Sequence, residues 1–523
     1  MKRRSFLRKA LPVATLPYFM NGFSMKAFGK GSMFAEMLSA TPQNDKILVL
    51  IQLNGGNDGL NTIIPLDQYS ALSGLRSNIL VPENLVLPLN GTAATGFHPA
   101  MTGLQQLYND QKVSVIQGVS YPAPSFSHFR ATDIWLTGSD SDQSLATGWL
   151  GRYLDEEFPG YPTGFPTLES PDPLALQIGN VASVALQGPS VNMGIAITSS
   201  TNFYQLVSGE YDETPDTPAG HELRFIRETS LQTQLYSTVI QNAAQSQANL
   251  STLYPASRTN SLADQLKIVA QLIGGGLQTK VYIVNLGGFD THNNQVDQTG
   301  GTQNGSHSDL LSKLSEAINA FQDDITLMGK QDKVLGMTFS EFGRRIHSND
   351  SYGTDHGSSL PVILFGTQVA GGLVGDNPVI SSDTGPDDNL EMQADFRTVY
   401  ASILKNWFCI PPETVTTVLQ REFPDLPLFS HNCGIASVKP VADFSGLSVY
   451  PNPAEGSVTV NYSDKGRSAD VRIYDLMGKE LIWQTVGSGI GAAQFSVGGF
   501  AAGTYFVKVI QQGNVETAKF VIR

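Results

Sequence analysis

Two cysteines in 523 residues are too few for a disulfide framework, so a packed core rather than covalent staples has to hold this chain together. Cys409 and Cys433 leave two readings open, one bridge formed after export or two idle thiols. Charged residues make up only 15%, against a usual share of about 25%. Cations are the scarcer sign, 33 Lys and Arg against 47 Asp and Glu for a net −14. With no local basic patch, a general nucleic-acid role is excluded. No apolar run reaches the about 20 residues of a spanning helix, so no transmembrane helix is expected in the mature chain. No glycine pattern of the phosphate-loop or dinucleotide kind follows a strand, and no internal repeat is evident. Glycine and proline are plentiful, 51 and 28, which implies many turns. The length and the 41% hydrophobic share are enough for two to four domains with buried cores.

Residues 1–40 hold seven of the basic residues and one acid, Glu36, so the remainder is more acidic still. A basic start, Met1 to Lys9, precedes an apolar stretch from Ala10 to about Phe23 that is broken by Pro12, Pro17 and Asn21. That is the pattern of a signal peptide, and Leu38-Ser39-Ala40 fits a small-residue cleavage end. Arg3 and Arg4 before Ser5, Phe6 and Leu7 resemble the twin-arginine export signal, which implies the twin-arginine translocon as a partner.

The other end is organised differently. After about Val438, short alternating strands are expected at Leu447–Tyr450, Ser457–Tyr462, Asp470–Tyr474, Gln494–Val497, Thr504–Ile510 and Thr517–Ile522, which reads as a small all-β sandwich over 439–523. The stretches Leu447 to Pro453, Val471 to Gly478 and Ala502 to Lys508 resemble the C-terminal sorting domain of type IX secretion substrates. The resemblance implies type IX secretion machinery as a partner and passage through the periplasm to the outer cell surface or beyond. An immunoglobulin-like appendage that binds a partner is the plainer reading of the strands alone.

Between the ends, 41–438 reads as alternating strands and helices. Lys46–Leu53 is a continuous apolar run suited to a buried parallel strand, and further strands are expected at Val113–Val119, Val281–Leu286, Val334–Phe339 and Pro361–Phe365. Ser306–Met328 carries Leu310, Leu311, Leu314, Ile318, Phe321 and Ile325 at helical spacing, with a capped start at Ser306 to Asp309. The order predicts an α/β fold, an open, mostly parallel sheet with helices on both faces. The polar, loop-rich 163–216 is expected to be an insertion or lid.

Chemistry-bearing residues follow the strands. Asn54-Gly-Gly-Asn-Asp-Gly59 follows the first, Tyr121 to Arg130 the second, Gly287-Gly-Phe-Asp-Thr-His292 the third, and Ser340 to Arg345 then Gly353 to Gly357 the fourth. Strand ends of a parallel sheet share one edge, so these loops can converge on one crevice. They supply Asp58, Ser127, His128, Asp290, His292, Glu341, Arg344, Asp355 and His356. Carboxylates and imidazoles suit a divalent metal, Zn²⁺, Mn²⁺, Mg²⁺ or Ca²⁺, with the choice left open.

The phrases Gln52 to Thr62, Ser127-His-Phe129, Gly148-Trp-Leu-Gly-Arg152, Gly288 to His292, Phe339 to Arg344 and Gly353 to Gly357 resemble the bacterial family called domain of unknown function 1501, over nearly all of 46–430. That family is grouped with the alkaline phosphatase and sulfatase superfamily, whose sites hold one or two divalent metals through Asp and His around a Ser, Thr or formylglycine nucleophile. The resemblance implies an alkaline phosphatase-like fold and a metal-dependent hydrolase of phosphate or sulfate esters. It makes Asp58, Asp290, His292, Glu341, Asp355 and His356 the metal ligands, and Ser127, His128, Arg130 and Arg344 the catalytic set. Ser127 would be the nucleophile, with Arg130 or Arg344 holding the anion by forked hydrogen bonds. A formylglycine is not expected, because Phe129 and Ala131 stand where a sulfatase has Pro and Arg.

Each group also has an ordinary reading. Asp58 could make a turn, Asp290 and His292 a hydrogen-bonded pair, Glu341 a buried ion pair with Arg344 or Arg345, Asp355 and His356 a Gly-rich turn, and Ser127 a helix cap. His98, His221, His307, His347 and His431 read as surface or internally satisfied histidines. A cell-surface binding or assembly protein on the same scaffold is the competing function.

Overall fold

The computed structural model describes residues 45–167, 170–200, 217, 220, 235–381, 383–430, 447–462, 468–475, 479–511 and 514–523, with the strands Tyr18–Met20 and Phe23–Met25. Those two short strands pair antiparallel; the rest of the expected leader, with its cleavage end, lies outside the described residues, as do His221, His431 and Cys433. The chain divides into two compact units, one of them Asp45–Cys433 and the other including Gly434–Arg523. Cys409 is disulfide-bonded, so the idle-thiol reading falls.

The larger unit is built on one nine-stranded sheet. In chain order its strands are β1 (Ile47–Asn54), β2 (Val113–Ser120), β3 (Ala175–Ile178), β4 (Ile195–Ile197), β5 (Val281–Gly287), β6 (Val334–Ser340), β7 (Leu360–Phe365), β8 (Gly372–Val374) and β9 (Ala394–Asp395). Across the sheet they run β8, β2, β7, β6, β1, β5, β3, β4, with β9 added beside β2. Only β7 is antiparallel to its neighbours, β6 and β2; the other pairings are parallel.

The unbroken apolar run of β1 has a simple cause. Ile47, Val49, Ile51 and Leu53 point into one hydrophobic layer and Leu48 and Leu50 into the other, since successive side chains leave a strand on opposite faces. The first layer is closed by helices α1 (Thr102–Asn109), α4 (Ser261–Gly274) and α5 (Ser306–Leu327). The second is closed by α2 (His128–Thr137), α3 (Trp149–Glu157), α6 (Phe396–Ser402) and α7 (Pro412–Leu419). The expected helix over Ser306–Met328 is α5, but its cap differs: Gly305, at φ +122°, is the N-cap, and the Ser306 hydroxyl donates instead to the Asn294 carbonyl at 2.9 Å.

The 163–216 segment is more than an insertion. Its described part supplies β3 and β4, which extend the sheet beyond β5. They are four and three residues long, too short for a periodicity signal to stand out among turns; 201–216 lies outside the described residues. The C-terminal unit forms a three-stranded sheet of Ser448–Tyr450, Ser457–Asn461 and Ala492–Ser496 and a four-stranded sheet of Glu480–Val486, Ala469–Asp475, Gly503–Gln511 and Asn514–Ile522. All their pairings are antiparallel, and Val458, Val460, Val471, Ile473, Phe495, Val507 and Phe520 share one core. The Glu480–Val486 strand was not expected from sequence. It lies at a sheet edge with most of its residues open to solvent, so the in-out alternation that betrays a strand is missing.

Among the described residues no helix is long and apolar enough to cross a membrane.

Candidate metal centre at the strand ends

Register puts the loops together. Asn54 ending β1 is level with Gly287 ending β5, and Leu53 is level with Ser340 ending β6. Because β7 runs back down the sheet, the segment that carries Asp355 and His356 must return over the same edge before Leu360. Two close approaches tighten this bundle of loops. Gly55 has φ +124°, and a Cβ there would sit 2.2 Å from the Asp290 nitrogen; a Cβ on Gly353 would sit 2.3 Å from the His292 carbonyl carbon. Only glycine permits both contacts.

His128, Asp290 and His356 converge there, with ligand atoms within 4.8 Å of one another. Asp290 is the hub. Its Oδ1 lies 3.2 Å from His292 Nε2 and 3.5 Å from His356 Nε2, and its Oδ2 lies 3.6 Å from His128 Nε2. His128, Asp290 and His356 are thus close enough together to be candidate ligands of one divalent cation. His292 Nε2 stands 2.8 Å from His356 Nε2, at hydrogen-bond distance.

The outer partners decide which nitrogen is free. His128 Nδ1 is 2.8 Å from Glu341 Oε1, His292 Nδ1 is 3.0 Å from Asp355 Oδ1, and His356 Nδ1 is 2.8 Å from the Phe126 carbonyl. Carboxylates and carbonyls only accept, so each Nδ1 carries a proton and turns the Nε2 of its ring toward Asp290. The Nε2 atoms of His128 and His356 and the Asp290 carboxylate converge, with His292 Nε2 beside them. Arg344 donates to Asp290 Oδ1 at 2.8 Å, and the imidazoles, each held by an outer partner, make this a candidate cation site.

Glu341 and Asp355 therefore stand behind histidines instead of facing the centre. The backbone nitrogen of Gly55 also donates to Glu341 Oε1, at 2.9 Å. Burial raises the Asp355 carboxyl, but the hydrogen bonds from His292 and Asn349 and the charge of Arg345 bring it below the usual range. Asp290 is held low as well: burial raises it and the bond and charge of Arg344 outweigh that. Phe342 is buried and packs on the rings of His128 and His356, centroids 4.8 and 4.5 Å away.

The arginines take other roles than anion binding. Arg344 is fully buried and donates to the carbonyls of Gly56, Thr354, Gly55 and Phe289 and to Asp290 Oδ1; it ties three loops into one frame. Arg130 pairs with Asp133 and donates to the carbonyls of Asp140, Ser141 and Gln143. Ser127 is exposed and occupies the N-cap position of α2, one residue before His128.

Asp58 lies apart from the cluster. It is buried against Arg76, whose Nη1 donates to both its oxygens at 3.0 and 3.1 Å, and Gln295 Nε2 donates to Oδ2 at 2.6 Å. Its carboxylate is spent, so a structural ion pair replaces the expected ligand. Burial raises its carboxyl, and the charge of Arg76 with the hydrogen bonds of Gln295 and Arg76 brings it below the usual range. Gln295 reaches further: its Oε1 accepts from the hydroxyls of Thr291 and Thr354, both at 3.0 Å, each next to ligand-bearing residues of a different loop. Nothing in the sequence marks Arg76 or Gln295, because a buried polar pair becomes recognisable only when its partner, 18 or 237 residues away, is in place.

Two histidines set aside in the sequence lie in the same buried layer. Burial pushes His98 down to about 3 and His307 down to about 4, so both stay neutral in the folded chain. The unfolded chain protonates them near 6.5. Between pH 6.5 and 4 it binds more protons than the native state, and stability falls as pH falls. At pH 5 each histidine is expected to cost about 2 kcal/mol relative to pH 7.5. Urea unfolding at the two pH values in the presence of a chelator checks this. The drop should shrink by about half in His98→Gln, and an unchanged drop refutes the assignment.

Residues 210–423 match the family described as protein of unknown function (DUF1501). The DUF1501 match takes in Asp290, His292, Glu341, Asp355 and His356 but ends short of His128. Residues 448–523 match the secretion system C-terminal sorting domain, which points to export to the cell surface or the extracellular space. No curated protein matches. Similar solved structures include a protein of the alkaline phosphatase superfamily from Vibrio parahaemolyticus, 9% identical, covering 86% of this chain and 78% of that one at a TM-score of 0.33. A phosphonate monoester hydrolase from Silicibacter pomeroyi is 11% identical over 91% and 89% at 0.31. Dimeric latent PorU from Porphyromonas gingivalis is 18% identical, and the match spans 15% of this chain and 9% of that one at 0.13. The fold described above rests on strand order and burial and not on these likenesses.

Proposed function

We propose that this chain is an exported metal-dependent hydrolase of phosphate or sulfate esters, displayed at or released from the cell surface, with the twin-arginine route as its first export step. The carrying observation is the convergence of three oriented imidazole Nε2 atoms on Asp290. The side chains of His128, His292 and Asp290 are 33%, 41% and 50% exposed, so a substrate can reach them from solvent. His128, His356 and Asp290 would hold the ion with His292 beside them, and Glu341, Asp355 and the Phe126 carbonyl would fix the rings. Such an ion polarises an ester oxygen and lowers the pKa of a bound hydroxyl or water. Arg344 keeps Asp290 ionised and in place, and Ser127 offers an exposed hydroxyl one residue before His128.

The test is hydrolysis of 4-nitrophenyl phosphate, bis(4-nitrophenyl) phosphate and 4-nitrophenyl sulfate by the zinc-, manganese-, magnesium- and calcium-loaded full chain. Activity that disappears in Asp290→Ala and with chelator supports the reading; no turnover of any ester under any loading overturns it. Ser127→Ala then separates the nucleophiles, abolishing turnover if the hydroxyl attacks and sparing it if water does. A binding or assembly role on the same scaffold is favoured by one observation, the complete engagement of Arg344 with protein groups.

A further inference from the structure

We infer that Gln295 is a positioning residue of the candidate centre: its side-chain amide sets the loop of Asp290 and His292 against the loop of Asp355 and His356, and so tunes how tightly a cation is held. The inference rests on the metal-centre reading and adds to it a residue outside the donor set.

Two loops from distant parts of the chain meet here, with His292 and His356 64 residues apart. Main-chain bonds give them their register. Gln295 N donates to the Tyr352 carbonyl at 2.9 Å, Asn294 N to that of Ser351 at 3.0 Å, and Thr354 N to that of Thr291 at 3.1 Å. The Gln295 side chain adds a second link at the centre itself. Its Oε1 accepts from the hydroxyls of Thr291 and Thr354, both at 3.0 Å. Thr291 stands between Asp290 and His292, and Thr354 stands next to Asp355. One oxygen therefore joins both loops at positions a single residue from three members of the cluster.

The amide can stand only one way round. Nε2 donates to Asp58 Oδ2 at 2.6 Å, and that carboxylate, paired with Arg76, only accepts. Oε1 is then turned to the hydroxyls, and each hydroxyl has to donate to it. Gln295, Asp58 and Arg76 are all buried, as are both threonines, so a group that loses its partner here leaves a buried polar atom unsatisfied. The contacts run from Arg76 through Asp58 and Gln295 into both loops. A hydrocarbon side chain at 295 cuts that path and leaves the main-chain bonds in place. Partners that orient a metal's ligands are worth about 10–100-fold in affinity; Gln295 acts one step further out, which puts its effect at the lower end.

Gln295→Met keeps the length of the side chain and removes its donor and its acceptor. In competition titrations of the full chain it should bind zinc about tenfold more weakly than wild type. Its cobalt-loaded form should show altered visible bands, because displaced loops change the coordination geometry. Thr291→Val combined with Thr354→Val takes away only the two hydroxyls and should weaken zinc binding in the same direction, which decides the matter if Gln295→Met does not fold. Asp324→Asn controls for stability alone. Asp324 is buried and accepts from the Leu250 and Ser251 nitrogens, so this variant should unfold at lower urea in chelator yet bind zinc as wild type does. Wild-type zinc affinity and an unchanged cobalt spectrum in Gln295→Met, or wild-type affinity in the threonine pair, overturn the inference and leave the metal centre standing. An equal loss of affinity in Asp324→Asn assigns the effect to stability and overturns it too. Uptake of neither metal by wild type overturns the metal-centre reading itself.

Discussion

Replacing His356 by alanine is expected to abolish uptake of a divalent cation by the chain. Wild-type protein loaded with zinc and dialysed should carry about one equivalent, and His356→Ala less than about a tenth, because a site built from neutral imidazoles and one carboxylate loses closure when a central donor goes. His356 is the right target: its Nε2 faces Asp290 at 3.5 Å and His292 at 2.8 Å, while its Nδ1 is committed to the Phe126 carbonyl. Glu341→Gln should be milder, about 10–100-fold in affinity, since it alters only the partner that orients His128. Elemental analysis and zinc titration read both effects. If wild type takes up none of the four candidate metals, or the His356 variant retains a full equivalent, the centre does not exist.

Asp58→Ala is expected to lower stability by about 3–5 kcal/mol, a large part of the roughly 5–15 kcal/mol of a folded domain, and to leave metal stoichiometry at one. The substitution strands the Arg76 guanidinium, buried at 0% exposure, with only the carbonyls of Ile346 and Arg345 as acceptors. It also orphans the Gln295 amide that joins Asp58 to the threonines beside both ligand loops. Replacing the pair together, Asp58→Leu with Arg76→Met, should cost less than Asp58→Ala, because no charge is left unpaired. Urea unfolding in chelator gives the stability, and metal analysis of the loaded protein gives the role. Loss of the metal with stability unchanged would reverse the assignment and restore Asp58 as a ligand.

The strands that build the site were legible in the sequence, because their signals are local. The apolar run of Lys46–Leu53 and the runs beginning at Val113, Val281 and Val334 lie within one or two residues of the observed β1, β2, β5 and β6. A strand buried on both faces announces itself by composition alone. The same holds for α5, whose apolar spacing needs no partner to be seen. Placing the chemistry at strand ends followed from parallel topology, and it brought His128, Asp290, His292, Glu341, Asp355 and His356 into view together.

Which of those residues face the candidate centre was decided by tertiary structure. The sequence offers His128 and Glu341 as a strand-end imidazole and acid; only the 2.8 Å contact between His128 Nδ1 and Glu341 sets one in front and the other behind. Asp58 and Asp290 follow neighbouring strands and look alike in the sequence, yet Arg76 claims the first and three histidines claim the second. Arg344 was an anion-binding candidate until its donors met the carbonyls of three loops. The physical reason is common to all of these: a side chain's role depends on which acceptor or donor lies within about 3 Å, and in this chain those partners are set by sheet register between segments up to 289 residues apart. Sequence alone determined the layers, the strand-end edge and the kinds of ligand gathered there; the fold alone decided which lone pairs meet and which charges are already spent.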